Sequence, residues 1–299
     1  MKYKNRDGEI VEEEEKGKKI TSFFYGTKLG RMLLKPLVSP VWQRFLGAML
    51  DSRLSVGLVL PYKKMHHIDM SLYKPRFYES FNAFFTREIK EELRPIDQEM
   101  AGIVAPCDGK ASVYPITEEL SLHIKNTTYS IERLLKSKEL AEKYKNGVAL
   151  VVRLSGGDYH HYCYVADGKK GKNHYLHGVF HALTPLVCEK RPVYQENARE
   201  FCRIRTHYFD EIIQMEVGAM LIGRINNLEE GIREVKKGEE KGYFSYGGST
   251  IVVLFKEDAV DFDRDLLQNT EQGMETIVKM GERIGYRKML DESKRFFSL

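Results

Sequence analysis

In Tyr246-Gly247-Gly248-Ser249-Thr250-Ile251-Val252-Val253-Leu254-Phe255 a glycine pair and two hydroxyl residues run straight into five apolar ones. The apolar run is largely β-branched and about as long as one strand, and it predicts a buried strand. The glycines let the backbone ahead of it take a turn or a strained peptide that other residues resist. Ser249 therefore stands as a hydroxyl nucleophile at the mouth of a rigid element. It can attack an external substrate, or the carbonyl of Gly248 just before it. The plainer reading of Gly-Gly-Ser-Thr is a hairpin turn.

Outward from this strand the pattern stays β. Ile103-Val104, Val148 to Leu154, Gly178 to Leu183 and Met215 to Ile225 are short apolar or alternating runs parted by Gly, Asn and Asp clusters, and they predict further strands. Ser130 to Tyr144 predicts a helix between two of them. Residues 76–97 predict another, closed at Arg94-Pro95. Glu271 to Arg283 carries Met274, Ile277 and Met280 at helical spacing with Gly285 beyond, and predicts a C-terminal helix.

The N-terminal part reads differently. The first 18 residues are polar and predict a frayed end. Ile20, Phe23, Phe24, Leu29, Met32, Leu33 and Leu34 then interleave with Lys28, Arg31 and Lys35 until Pro36 stops the segment. Ser39-Pro40 opens a second helix, serine as cap and proline in the first turn. Its apolar face is Val41, Trp42, Phe45, Leu46, Met49 and Leu50. Such faces either pack on the protein's own core or lie in a membrane interface with basic residues toward lipid phosphates. The fold class expected is α+β: N-terminal amphipathic helices, then a largely antiparallel β core with a C-terminal helix.

Bulk properties narrow the function classes. The chain has 299 residues, enough for a sizeable core, and 42% hydrophobic residues, so disorder is not expected. A net charge of +4 argues against a dedicated nucleic-acid binder. No run of eighteen apolar residues predicts a transmembrane helix, and the N-terminus lacks the apolar core of a signal peptide. Cys107, Cys163, Cys188 and Cys202 are scattered, which suits reduced thiols better than a disulfide framework or zinc site. No metal site is expected: His177 and His181 flank a glycine in a strand-like context, and His66-His67 sits in a polar connector.

Two segments supply what a serine nucleophile needs. Ala105-Pro106-Cys107-Asp108-Gly109-Lys110 holds a carboxylate between a proline and a glycine. Leu154-Ser155-Gly156-Gly157-Asp158-Tyr159-His160-His161-Tyr162-Cys163 holds an imidazole after a strand and a glycine turn. A hydroxyl needs a base to take its proton, and the base needs a carboxylate to steady its charged form. Asp108, His160 and Ser249 are those three types. Each also has a plain structural reading, as a turn residue or a core histidine.

Together with their flanks, these segments resemble the phosphatidylserine decarboxylase family, whose members use a pyruvoyl group made from their own chain. Phe81-Asn82-Ala83-Phe84-Phe85-Thr86-Arg87 and Arg94-Pro95-Ile96-Asp97 are similar to its opening motif. Pro106-Cys107-Asp108-Gly109-Lys110 resembles its Pro-x-Asp-Gly motif, and Asp158-Tyr159-His160 its Asp-Tyr-His motif. Val217-Gly218-Ala219-Met220 and Lys237 to Phe244 resemble the approach to its cleavage site, Gly248-Ser249-Thr250 the site itself, and Met280 to Gly285 its closing motif. Many members carry a second histidine three residues after the first. Here that position is Cys163, and the additional histidine is His161, so the base is expected at His160.

The resemblance implies two reactions at one place. His160, oriented by Asp108, deprotonates Ser249, which attacks the Gly248 carbonyl. Elimination leaves residues 1–248 as a β chain and residues 249–299 as an α chain headed by a pyruvoyl group. That covalent cofactor then condenses with the substrate amine and accepts the electrons freed as carbon dioxide leaves, as pyridoxal phosphate does elsewhere. The implied conversion is phosphatidylserine to phosphatidylethanolamine, by a peripheral protein on the cytoplasmic face of the cell membrane. Residues 1–75 are then expected as an N-terminal helical region able to meet the membrane, and residues 76–299 as the catalytic domain. A homo-oligomer is left open. The rival readings are a soluble amino-acid decarboxylase of the same fold and a non-catalytic membrane-surface adaptor.

Overall fold

The computed structural model describes residues 2–12, 18–124, 127–220, 224–245 and 249–289. The chain opens on a hairpin, β1 (Lys2–Lys4) and β2 (Ile10–Glu12), followed by α1 (Lys18–Gly26), α2 (Lys28–Leu37) and α3 (Pro40–Asp51). Two short helices, α4 (Val59–Met65) and α5 (Phe81–Phe85), lead into the β body. There β3 (Gly102–Val104) and β4 (Gly109–Pro115) precede a hairpin of β5 (Ser121–Ile124) and β6 (Thr127–Ser130). Helices α6 (Ile131–Leu135) and α7 (Lys138–Glu142) lead to β7 (Val148–Leu154), β8 (His161–Cys163), β9 (Gly168–Lys170) and β10 (His174–Leu176). After α8 (Pro185–Cys188) and α9 (Val193–Glu196) come β11 (Arg199–Thr206), β12 (Glu211–Val217), β13 (Arg224–Asn227), β14 (Arg233–Val235) and β15 (Glu240–Ser245). The chain continues with β16 (Ser249–Phe255), β17 (Val260–Phe262), α10 (Arg264–Glu271), β18 (Glu275–Val278) and β19 (Arg283–Arg287).

The main sheet runs β14-β9-β11-β12-β16-β7-β4-β18-β1-β2, with β10 also on β11. Its pairs are antiparallel except β1 on β18. Smaller sheets, β13-β15-β8 and β17-β19-β3, complete the body. The fold is thus α+β, as expected. Strand β16 is buried along its whole length because both faces of the sheet are covered. Ile251, Val253 and Phe255 pack in one apolar cluster with Leu150, Val152 and Leu154; Val252 and Leu254 pack in the other with Val151, Leu34 and Val38. Two-sided burial is the reason this strand reads as a continuous apolar run and not an alternating one.

Several local expectations change. Only Phe81–Phe85 of residues 76–97 forms an α-helix, capped by Ser80 accepting from the Ala83 N–H (3.1 Å). Phe81, Phe84 and Phe85 exhaust the helical apolar spacing in one turn, and Ile89 is drawn into a bridge with Tyr73. The C-terminal helix lies earlier than predicted, at α10. Gly273, with φ +72°, follows its end, and Thr276 and Val278 alternate inward as strand β18 where a helix was expected. The residues near the N-terminus pair with β18 through β1, burying Tyr3, while Arg6 reaches Asp263 (2.7 Å) and Asp265 (2.5 Å). Val179 makes one bridge to Asn197 in place of a strand over 178–183. The run from Met215 divides between β12 and β13, and the helix expected over 130–144 divides at Lys136, whose backbone is left-handed.

The N-terminal helices combine both readings of their apolar residues. Ser39 caps α3 through the Trp42 N–H (3.3 Å), and Tyr25, Leu34 and Val38 enter the core. Ile20, Phe23, Leu29, Met32 and Leu33 stay exposed, as do Val41, Trp42, Phe45 and Met49; α3 has no buried residue. Among the described residues no helix is long and apolar enough to cross a membrane.

Candidate active site

Adjacent strands of the main sheet bring the motifs to one edge. Lys110 faces Arg153 across β4 and β7, and Ser249 faces Leu154 across β16 and β7. Gly109, Leu154 and Ser249 therefore share one end of three neighbouring strands. Gly109 has to be glycine: a Cβ there would meet the Arg153 carbonyl oxygen at 2.7 Å. From Leu154 the chain turns through residues 155–158 to His160. The Phe244 N–H of β15 donates to the His160 carbonyl (2.9 Å), and β15 is the strand before Ser249. His160 is thus tied through its backbone to β15, the strand that precedes Ser249 in the chain. Gly248, the other side of the expected cleavage point, lies outside the described residues.

The two central groups are buried and have no hydrogen-bond partner among the described residues. Ser249 is 0% exposed and its Oγ has no hydrogen-bond partner among the described residues. His160 is 1% exposed, and neither ring nitrogen has one. Leaving a buried polar group unsatisfied costs about 1–3 kcal/mol, so such groups in native structures commonly mark function. The Phe85 ring lies over the imidazole, centroids 4.1 Å apart. Burial, then the nearby charge of Arg87, push the His160 pKa down to about 3, only partly opposed by the Asp158 carboxylate. The imidazole is accordingly neutral at neutral pH, with a lone pair available.

The carboxylates are divided. Asp108 Oδ1 accepts from Arg94 Nε (2.7 Å) and from the Met280 N–H (2.9 Å), and Arg94 Nη2 donates to Oδ2. No hydrogen bond joins Asp108 to His160 among the described residues. Asp108 ties the opening, Pro-x-Asp-Gly and closing motifs into one knot, and the orienting bond expected from it is absent from this geometry. Asp158 holds Lys110 Nζ through both oxygens (3.0 and 2.8 Å) and accepts from the Ser155 N–H (2.6 Å). Burial raises its pKa, but the charge and hydrogen bond of Lys110 and the bond from Ser155 outweigh it, so its pKa is lowered and it stays ionised. Of the two carboxylates, it is the one whose charge raises the His160 pKa.

Arg87, quoted above only within a motif, proves buried beside the site. Its Nη2 donates to the Tyr73 hydroxyl (3.1 Å) and the Gly157 carbonyl (3.2 Å), and its guanidinium lies 4.4 Å from the Tyr73 ring centre. No carboxylate pairs with it among the described residues. A Thr-Arg after an aromatic cluster does not announce a buried cation, so only the fold reveals it.

The neighbouring candidates are engaged elsewhere. His161 Nδ1 lies 2.6 Å from Glu240 Oε1, Nε2 lies 3.2 Å from the Thr86 carbonyl, and the ring stacks on Tyr159. The Cys163 thiol donates to the Ala105 carbonyl (3.7 Å), and burial pushes its pKa up to about 12. His181 contacts the Tyr25 hydroxyl (3.1 Å), and His66 packs against Tyr62.

The family profile described as phosphatidylserine decarboxylase matches residues 81–286, which include every motif at this edge from Phe81 through Tyr286. The chain belongs to the phosphatidylserine decarboxylase family. It is 41% identical to phosphatidylserine decarboxylase proenzyme 2 of Clostridium acetobutylicum, over 94% of this chain and 97% of that one. It is 35% identical to a phosphatidylserine decarboxylase proenzyme of Clostridium botulinum (strain Langeland), over 95% and 98%. A Clostridium beijerinckii relative of the same name is 32% identical over 94% and 97%. The word proenzyme in these names goes with a chain made as a precursor.

Proposed function

We propose that this chain decarboxylates phosphatidylserine to phosphatidylethanolamine, using a pyruvoyl group that it makes from Ser249 by cleaving itself between Gly248 and Ser249. The observation that carries this reading is that the Ser249 Oγ and the His160 imidazole are both buried and without a hydrogen-bond partner among the described residues. They fit the group: a buried serine at a strand mouth, and a buried neutral base whose backbone is bonded to the preceding strand, β15.

In the processing step His160 takes the proton of Ser249 Oγ, which attacks the Gly248 carbonyl carbon. The peptide C–N bond breaks, an ester forms, and the proton passes to the freed nitrogen. Removal of the Ser249 α proton then expels residues 1–248 with a C-terminal carboxylate at Gly248. Water replaces the nitrogen of the remaining dehydroalanine, ammonia leaves, and the α chain begins with a ketone. The pyruvoyl group supplies the electron sink for loss of carbon dioxide. Loss of carbon dioxide consumes one proton at the α carbon; His160 takes that proton from water and passes it on, with Asp158 opposing the cost of briefly charging the buried ring. Asp108 keeps the edge assembled through Arg94 and the Met280 N–H. Phe85 excludes water.

The exposed apolar residues of α1, α2 and α3 support a peripheral position on the membrane, which the reading places at the cytoplasmic face. The processing reading is tested by intact mass and denaturing gel. The purified protein is expected as two chains divided between Gly248 and Ser249, the smaller one resistant to Edman degradation. Ser249→Ala is expected as one inactive chain. Decarboxylase activity in that variant rules the pyruvoyl mechanism out, since alanine has no oxygen to attack with.

A further inference from the structure

A cavity of about 540 Å³ lies between α2 and the segment from Val179 to Arg191, a size typical of sites for small organic molecules. Leu34, Val38, Val179 and the stem of Met32 make its apolar wall. Lys28, Arg31 and Lys35, one face of α2, stand at its rim and are exposed. Arg191 also lines it, but Glu196 already neutralises that charge (3.2 Å). Neither Lys28 nor Lys35 has a hydrogen bond or ion pair among the described residues, and Arg31 donates only to the Tyr25 carbonyl (3.4 Å). Three uncompensated cations over an apolar wall match a ligand that is anionic at one end and hydrocarbon at the other.

The cavity is not the reaction centre. Leu34 and Val38 belong to the cluster under Val252 and Leu254, whereas the Ser249 side chain points to the other sheet face, with Ile251 and Val253. On α2 the cavity adjoins the outward apolar residues, and Met32 belongs to both.

We propose that this cavity is a second lipid site, which takes the head group of one anionic phospholipid. The phosphate sits among Lys28, Arg31 and Lys35, the first part of an acyl chain lies along Leu34, Val38 and Val179, and the rest stays in the bilayer. The proposal rests on the reading that the enzyme works at a bilayer, and it gives that surface a preference for anionic lipid that the apolar face alone does not supply.

The test is calorimetric titration of the full processed protein with dihexanoyl-phosphatidylglycerol below its micelle concentration, with dihexanoyl-phosphatidylcholine and inorganic phosphate as controls. One site is expected for the anionic lipid, with both controls weaker by about tenfold or more. Lys28→Gln with Lys35→Gln is expected to weaken it by about tenfold, and Val179→Phe to block it by filling the wall, with turnover of short-chain phosphatidylserine unchanged. Equal binding of inorganic phosphate reduces the site to an anion site and overturns the lipid assignment. Unchanged affinity in the double variant overturns the location. Competition by phosphatidylglycerol against turnover overturns the separation from the reaction centre. Sedimentation with anionic vesicles keeps the two readings apart. A protein that binds the soluble lipid but no vesicle retains the cavity proposal and loses the bilayer reading; one that binds vesicles but not the soluble lipid does the reverse.

Discussion

The phenyl ring of Phe85 covers the imidazole of His160, with ring centroids 4.1 Å apart and planes inclined by 41°. A histidine so covered is kept neutral by lack of water, and Arg87 adds to the effect. The one α-helical turn in residues 76–97 therefore has a chemical consequence: it seats an aromatic lid on the base.

Phe85→Leu opens this lid partly. The His160 pKa, now about 3, is expected to rise toward the ordinary histidine value near 6.5. The neutral base is then lost as pH falls through a range where the parent protein keeps it. In cell-free synthesis followed by a shift to pH 5.5, the parent is expected to cleave nearly as well as at pH 7.5, and Phe85→Leu several-fold less. Identical pH profiles would show that burial under Phe85 does not set the state of His160.

The carboxylates rank by what they touch. His160→Ala is expected to accumulate the uncleaved chain. Asp108→Asn leaves Arg94 without its counter-charge at a largely buried position, a loss of about 3 kcal/mol, and slows cleavage less completely. Asp158→Asn removes the charge that favours protonated His160 and is expected to slow cleavage at least as much as Asp108→Asn. The ratio of cleaved to intact chain, read beside the melting temperature of each variant, decides. Rapid cleavage in Asp158→Asn with none in a fully stable Asp108→Asn reverses the ranking.

His161 and Cys163 are expected to be dispensable for cleavage. His161→Ala gives up its contacts to Glu240 and Thr86 and loses about 1–2 kcal/mol of stability. Cys163→Ser keeps the contact to Ala105, and a thiol whose pKa is near 12 is no base at neutral pH. Mass spectrometry of both variants should find two chains. An uncleaved Cys163→Ser of normal stability would move the proton relay to Cys163.

Trp42 and Phe45 project from a helix with no buried residue, their rings 5.4 Å apart. Changing both to Asp should leave the melting temperature within about 1 °C, weaken vesicle binding and spare turnover of short-chain lipid. Because Trp42 is the only tryptophan, its emission in the parent protein should shift to the blue with vesicles. Unfolding of the variant would mean instead that this face belongs to the core.

What the sequence by itself determined is local or chemically distinctive. Ser249 opening a buried strand follows from glycines beside a β-branched run, and the start of α3 follows from Ser39-Pro40, since capping is decided within one helical turn. The set of residue types, serine, imidazole and carboxylate, was legible in the same way. Tertiary structure alone decided the rest. Thr276 and Val278 form a strand because β4 pairs with them from more than 150 residues away, and that partner outweighs the helical spacing of Met274, Ile277 and Met280. Asp108 and Asp158 both stand near glycines, but Arg94 claims the first and Lys110 the second, and only their packing sets which charge is felt by His160. The same holds for the apolar residues of α2: Leu34 is core and Leu33 surface because one side of that helix turns to the segment around Val179 and Phe180 and the other turns outward. Periodicity records that a helix has a face; the contacts made across the fold determine what the face meets.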